Sequence, residues 1–155
     1  MQHVTSSKTS SASKIADELT HFLADTYALY LKTQNFHWNV KGPHFYSLHK
    51  MFESQYQELA AAIDELAEQI RALGSYTPAS FSQFTNLSSL KEATGTITAE
   101  NMIQELLKDH ETMVSHAAMI ITKAQKAHDE STADILIQRQ KAHEKTAWML
   151  KSSLK

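Results

Sequence analysis

The sequence contains no cysteine, only three glycines and only two prolines. Without thiols there are no disulfides, no zinc–thiolate sites and no cysteine nucleophile, and a reducing, cytoplasmic setting is expected. Every glycine and proline (Gly42, Pro43, Gly74, Pro78, Gly95) falls between, not within, the periodic apolar segments. The stretches that remain are rich in Ala, Leu, Glu, Gln and Lys, which favours helix. There is no apolar run of membrane-spanning length, so no membrane partner is expected. Residues 1–13 lack the apolar stretch of a secretory signal, so none is expected. An excess of one charge is also missing: the net charge is -2 and the pI about 6.5, which argues against a globally basic nucleic-acid binder.

What is present reads as one domain. Residues 1–13, Ser/Thr-rich with Lys8, are expected to form a flexible tail, and 14–155 the folded unit. A first helix is predicted from Ser13 as N-cap to about Val40, with Ile15, Leu19, Phe22, Leu23, Leu29, Tyr30 and Phe36 as its apolar side. Lys41-Gly42-Pro43 reads as a turn. A second helix is predicted over 44–73, with Phe45, Leu48, Phe52, Tyr56, Leu59, Ile63, Leu66 and Ile70 at three- and four-residue steps, closed by Gly74. The connection 75–96 is long, with a short helix expected around 78–84 whose Phe81 and Phe84 plug a groove. Further helices are predicted over 99–127 and from Ser131, taken as N-cap, onward. The pattern is an all-α four-helix bundle with a long crossover between its second and third helices (a B–C crossover) carrying a short helix.

The chemistry concentrates on His37, His49, Glu53, Asp64 and Glu68. Two imidazoles and three carboxylates are what a hard-to-borderline transition metal needs, and iron fits. His49 to Glu53 is an i, i+4 step, as is Asp64 to Glu68, so each pair shares a helix face. Glu53 and Asp64, however, lie about 16 Å apart along one helix axis, too far for one ion. In a two-fold, antiparallel helix pair, facing residues have numbers adding to a constant. His49 with Glu68, and Glu53 with Asp64, both add to 117. A two-fold axis between Glu58 and Leu59 would therefore bring each His49/Glu53 pair against the partner's acidic pair, making two sites per dimer. His37 adds a fifth group from the first helix. Taken singly, such pairs are commonly solvated surface contacts; it is the shared face and the matching totals that favour a metal. An intrachain di-iron plan needs two Glu-x-x-His motifs. Only Glu18-Leu-Thr-His21 occurs, so that plan fails and Glu18/His21 reads as ordinary surface. His110 and His143 fall on core stripes and are expected to be hydrogen-bonded structural histidines.

Asn35-Phe-His37-Trp38-Asn39-Val-Lys-Gly42, then Phe45, Leu48-His49, Phe52-Glu53, Tyr56 and Asp64-Glu-Leu-Ala-Glu68-Gln-Ile, resembles the Dps family, the miniferritins. His143-Glu-Lys-Thr-Ala-Trp148-Met-Leu150 resembles that family's last helix. The resemblance implies a ferritin-like bundle assembled as a hollow homo-dodecamer. It implies ferroxidase centres at two-fold interfaces, with His37 and His49 from one subunit, Asp64 and Glu68 from its neighbour, and Glu53 completing the site. Fe(II) and hydrogen peroxide would be the substrates, ferric mineral the stored product, and protection of DNA from oxidative damage the outcome. Trp38, beside His37, would donate an electron to stray oxidant or else pack at the interface. Asp129, Glu130 and Asp134 would line acidic pores, although carboxylates at a helix start are also favoured by the helix dipole.

Direct DNA association is expected to be weak. Lys8, Lys14, Lys151 and Lys155 are the few positive charges near the ends, though many tails on one cage would add multivalency. A cytoplasmic, bacterial, nucleoid-associated location is expected. Rival expectations are a non-enzymatic DNA-compacting cage with a vestigial metal site, and a helical dimer with structural zinc on the same ligands.

Overall fold

The computed structural model describes residues 3–93 and 95–155, with side chains from Ser11 onward. Five helices follow in order: α1 (His3–Asn39), α2 (Phe45–Ala72), α3 (Phe81–Leu87), α4 (Ala99–Lys126) and α5 (Glu130–Ser152). No strand occurs among the described residues. α1 packs antiparallel on α2 and α4 on α5, and the two hairpins close through α1–α4 and α2–α5 contacts, with α3 lying on α1. None of the described helices is long and apolar enough to cross a membrane.

α1 corrects the expected start. Ser13 lies inside the helix and is not its N-cap, α1 running from His3. No glycine or proline precedes Gly42, and once a helix is nucleated by packing, extension over Ser and Thr costs only a few tenths of a kcal/mol per residue. Met1 and Gln2, which the expected tail includes, lie outside the described residues. Ile15, Leu19, Phe22, Leu23, Leu29 and Phe36 are buried as the periodicity predicts. The hydroxyls buried with them turn back onto their own helix: Thr26 donates to the Phe22 carbonyl and Thr33 to that of Leu29, both at 2.7 Å.

Gly42 sits at φ 121° and allows the tight α1–α2 turn; Gly74 at φ 95° closes α2 as expected. α3 begins later than the short helix expected around 78–84. Ser80 is its N-cap and accepts from the Gln83 amide, while the Gln83 side chain accepts from the Ala79 amide. Phe84 is half-buried and stacks on Tyr27, but Phe81 stays 80% exposed and so does not plug the groove. α5 is capped by Asp129, not Ser131: its carboxylate accepts from both the amide and the hydroxyl of Thr132.

The crossover is held to α1 by two buried charges seven residues apart. Asp25, only 1% exposed, accepts from the Ser88 hydroxyl (2.8 Å), the Ser89 amide (2.6 Å) and the Ser89 hydroxyl (3.0 Å), with His116 Nδ1 at 3.6 Å. Lys32 donates to the Lys91 carbonyl (3.0 Å) and pairs with Asp109 (2.9 Å) and Glu105 (3.3 Å). Burial raises the Asp109 carboxyl above its ordinary value, and the neighbouring ammonium only partly offsets that. Removing one partner of a buried pair strands the other. Lys32→Ala is expected to destabilise the fold by about 3 kcal/mol, checked by denaturant unfolding.

The middle of the bundle holds a second polar chain. Arg139 forms a bidentate pair with Glu58 and donates to His143 Nε2 at 3.1 Å; His143 and His110 meet Nδ1 to Nδ1 at 2.8 Å. A guanidinium only donates, so neutral His143 carries its proton on Nδ1 and gives it to His110. His110 then carries its own on Nε2, a buried atom without a hydrogen-bond partner. The histidines expected to be structural and hydrogen-bonded are so. Burial, with Arg139 nearby, pushes His110 down to about 3, and burial with His110 and Arg139 keeps His143 well below its ordinary 6.5. Both folded-state values lie below the unfolded one. The unfolded chain therefore binds more protons below pH 6.5, and stability falls as pH drops from there. His110→Gln is expected to flatten the loss of stability between pH 6.5 and 4.5, measured by urea unfolding at each pH.

Candidate metal centre

The α1–α2 turn brings the end of one helix against the start of the next. His37, on the last turn of α1, is 7% exposed; His49 and Glu53 stand one turn apart on α2 and are half-buried. The two imidazoles lie nearly parallel, ring centroids 3.8 Å apart and planes 12° from each other. Each donates Nδ1–H to the other's backbone carbonyl, His37 to His49 O and His49 to His37 O, both at 2.7 Å. A carbonyl oxygen only accepts, so both rings must carry their proton on Nδ1. Each Nε2 is left with a free lone pair, the state a metal ligand needs.

Surrounding rings hold that orientation. Phe45 stacks on His49 at 5.0 Å and Tyr56 meets His37 edge-on at 5.2 Å. One ligand atom each from His37, His49 and Glu53 fall within 4.8 Å of one another, the one group of this kind among the described residues. Lys50 Nζ lies 3.4 Å from Glu53 on the open side. Two neutral nitrogens and one carboxylate are a donor set that could supply half of a coordination shell for a divalent transition metal.

The other two residues of the predicted set are not part of this group. Asp64 and Glu68 are exposed farther along α2, about 16 Å and about 22 Å from Glu53 by helix rise. One chain thus assembles three of the five expected ligands and presents the other two outward. Trp38 is 61% exposed beside the group. Asp129 serves as the α5 cap, while Glu130 and Asp134 are exposed on its first turns. Glu18 pairs with Lys123 and His21 Nδ1 approaches the Leu87 carbonyl at 3.2 Å, so neither joins a ligand group.

Sequence reasoning missed the clasp itself. Spacing singles out His37 and His49 as candidate ligands, but the backbone carbonyls they bind leave no trace in residue types. Tyr56 stands in an apolar stripe and in the family-like motif, but neither signals its contact with His37. The Glu58–Arg139 pair joins residues far apart in sequence and carried no local signal.

Comparison with known proteins identifies the family. The sequence pattern of the ferritin-like domain matches residues 16–155. The DNA protection during starvation protein 2 of Bacillus anthracis is 40% identical over 141 residues, covering 91% of this chain and 97% of that protein. The DNA protection during starvation protein of Brevibacillus brevis is 37% identical over 147 residues, covering 95% and 99%. Among solved structures, the Vibrio cholerae O1 Dps protein, described as a member of a broad superfamily of ferritin-like diiron-carboxylate proteins, superposes with TM-score 0.92 at 33% identity, covering 95% of this chain and 92% of that one. The Bacillus brevis Dps structure gives TM-score 0.91 at 36% identity, covering 94% and 98%. With the bundle, the crossover helix and the histidine–carboxylate group in the same chain, these matches make it a member of the ferritin-like family and, within it, of the Dps proteins.

Proposed function

We propose that this chain oxidises Fe(II), preferably with hydrogen peroxide, and stores the ferric product inside a homo-dodecameric cage, protecting DNA from oxidative damage. The observation that carries the reading is the reciprocal clasp of His37 and His49, which leaves two Nε2 lone pairs free beside the Glu53 carboxylate. Iron is the substrate. Asp64 and Glu68 of a two-fold-related copy would supply the missing half of the shell, in line with their shared face and the matching residue-number totals. Such a contact gives two equivalent sites per dimer.

The donor set explains the direction of the chemistry. Imidazole nitrogens hold Fe(II) without adding charge, and hard anionic oxygens favour Fe(III), so each carboxylate gathered at the site lowers the cost of oxidation. Two ferrous ions give two electrons to one peroxide, which takes up two protons and leaves as two waters. Asp129, Glu130 and Asp134, at the start of α5, are proposed as the acidic entrance for Fe(II). Asp129 contributes its field while its oxygens cap the helix. Trp38 is proposed as a donor to stray oxidant or as an interface residue, its exposure fitting both. The expected setting is the bacterial cytoplasm.

A shared site makes a specific demand on mixtures. His49→Ala homomers and Asp64→Ala/Glu68→Ala homomers are each expected to lose fast Fe(II) oxidation by peroxide. Random co-assembly of the two restores the wild-type combination in about a quarter of the sites, so the mixture regains activity that neither parent has. The check is stopped-flow absorbance of Fe(III) formation; a mixture as dead as its parents means the ligands are not shared.

DNA association is proposed to be weak and salt-sensitive. Lys14 and Lys151 are exposed, while the Lys8 side chain lies outside the described residues. The expected result is DNA retarded in a gel at low salt and released at physiological salt, the slope of log affinity against log salt giving the number of phosphate contacts.

A further inference from the structure

Ring contacts continue from the histidine clasp into the α1–α2 seam. Tyr56 meets His37 at 5.2 Å and Tyr30 at 6.0 Å, both edge-on. Tyr30 meets Tyr27, one turn away on α1, at 5.7 Å, and Tyr27 stacks on Phe84 of α3 at 4.8 Å. The three tyrosines are half-buried, and the Gln34 amide donates to the Tyr30 oxygen at 3.4 Å. Tyr27 lines the cavity beneath α3 together with Ile63 and Ala67. Those two residues directly precede Asp64 and Glu68. The tyrosine chain therefore runs from one ligand half of the subunit to the flank of the other.

Packing alone accounts for aromatic rings in a seam, but phenylalanine would pack as well. What the phenols add is an accessible one-electron oxidation. Electron tunnelling decays exponentially with distance, and these rings are in contact. We infer that Tyr56, Tyr30 and Tyr27 form a relay that delivers an electron to peroxide reduced at the His37/His49/Glu53 pocket. The inference rests on the iron-oxidising reading above and adds residues to it. When a single ferrous ion occupies the pocket, Fe(II) gives one electron to peroxide and the relay gives the other. The O–O bond breaks, Fe(III) and a tyrosyl radical form, and the phenol proton together with one from solvent completes two waters. The vacancy moves from Tyr56 to Tyr30 to Tyr27, each phenol regaining its proton as it is reduced. A further ferrous ion, near Asp64 and Glu68, reduces the Tyr27 radical and becomes Fe(III). Peroxide then draws on two ferrous ions that need not share a pocket, and no free hydroxyl radical is released.

The test uses the assembled protein with far less than one Fe(II) per two-fold dimer, so that the second pocket of a loaded dimer is empty, with excess peroxide and no oxygen. Freeze-quench electron paramagnetic resonance reads the radical and absorbance reads Fe(III). The expected result is a tyrosyl signal in the parent protein that is lost in Tyr56→Phe, with both proteins still forming Fe(III). In Tyr27→Phe the signal forms but decays more slowly than in the parent when more Fe(II) is added. Thermal melts of the variants, whose ring packing is preserved, confirm that they are folded. The inference is overturned if Tyr56→Phe keeps the full signal, if the signal disappears instead in Trp38→Phe, if Tyr27→Phe is quenched at the parent rate, or if the parent makes Fe(III) without any radical. Absence of Fe(III) in the parent protein would instead reject the iron-oxidising reading itself, and the relay with it.

Discussion

The register between α1 and α2 is the constraint on which the rest depends. It is set by a turn of only a few residues, closed by Gly42 in a backbone conformation that L side chains rarely adopt. That turn makes the helices antiparallel and places position 37 against 49 and position 30 against 56. A slip of one residue would rotate every α2 side chain by about 100° and part both imidazoles from the carbonyls they bind. The two hydrogen bonds between the histidines are therefore a consequence of the register and also a lock on it. The site is built where the bundle is best determined.

Polar burial follows the same logic. Asp25, Lys32, Arg139, His110 and His143 all sit at or below 6% exposure in a bundle otherwise lined by Leu, Ile, Phe, Met and Ala. Each finds a partner on a different element, so each specifies one arrangement of helices. An apolar core of equal volume would tolerate more than one packing of the hairpins. Here a change of register would leave a carboxylate, an ammonium and a guanidinium unpaired at once.

The bundle was largely legible in the sequence because its signals are local. Three- and four-residue apolar steps gave α1, α2, α4 and α5, and Gly42 and Gly74 marked two of the ends. Helix starts were less legible. Ser13 and Ser131 both look like N-caps, but one continues an existing helix and the other follows Asp129, whose carboxylate reaches Thr132 first. Phe81 reads as a groove plug by hydrophobicity alone, yet the capping of α3 by Ser80 turns it to solvent. At the site, residue types and spacing pointed to five candidate ligands, and the structure gathers three of them, His37, His49 and Glu53. What spacing does not encode is the tautomer of each histidine, fixed by main-chain carbonyls, or the contacts of Tyr30 with Tyr56 across the seam.

The attachment of the crossover to α1 also governs how the molecule loosens. A connection from Leu73 to Thr98 is long enough to let two hairpins drift apart as separate halves. Asp25 and Lys32 hold its middle, through Ser88, Ser89 and Lys91, against the same helix that joins both hairpins. Neither half can swing outward without first drawing a buried ion into water. Breathing of the fold is then expected to be confined to its extremities, with amide hydrogen exchange working inward from the helix ends before the hairpins part along the midline.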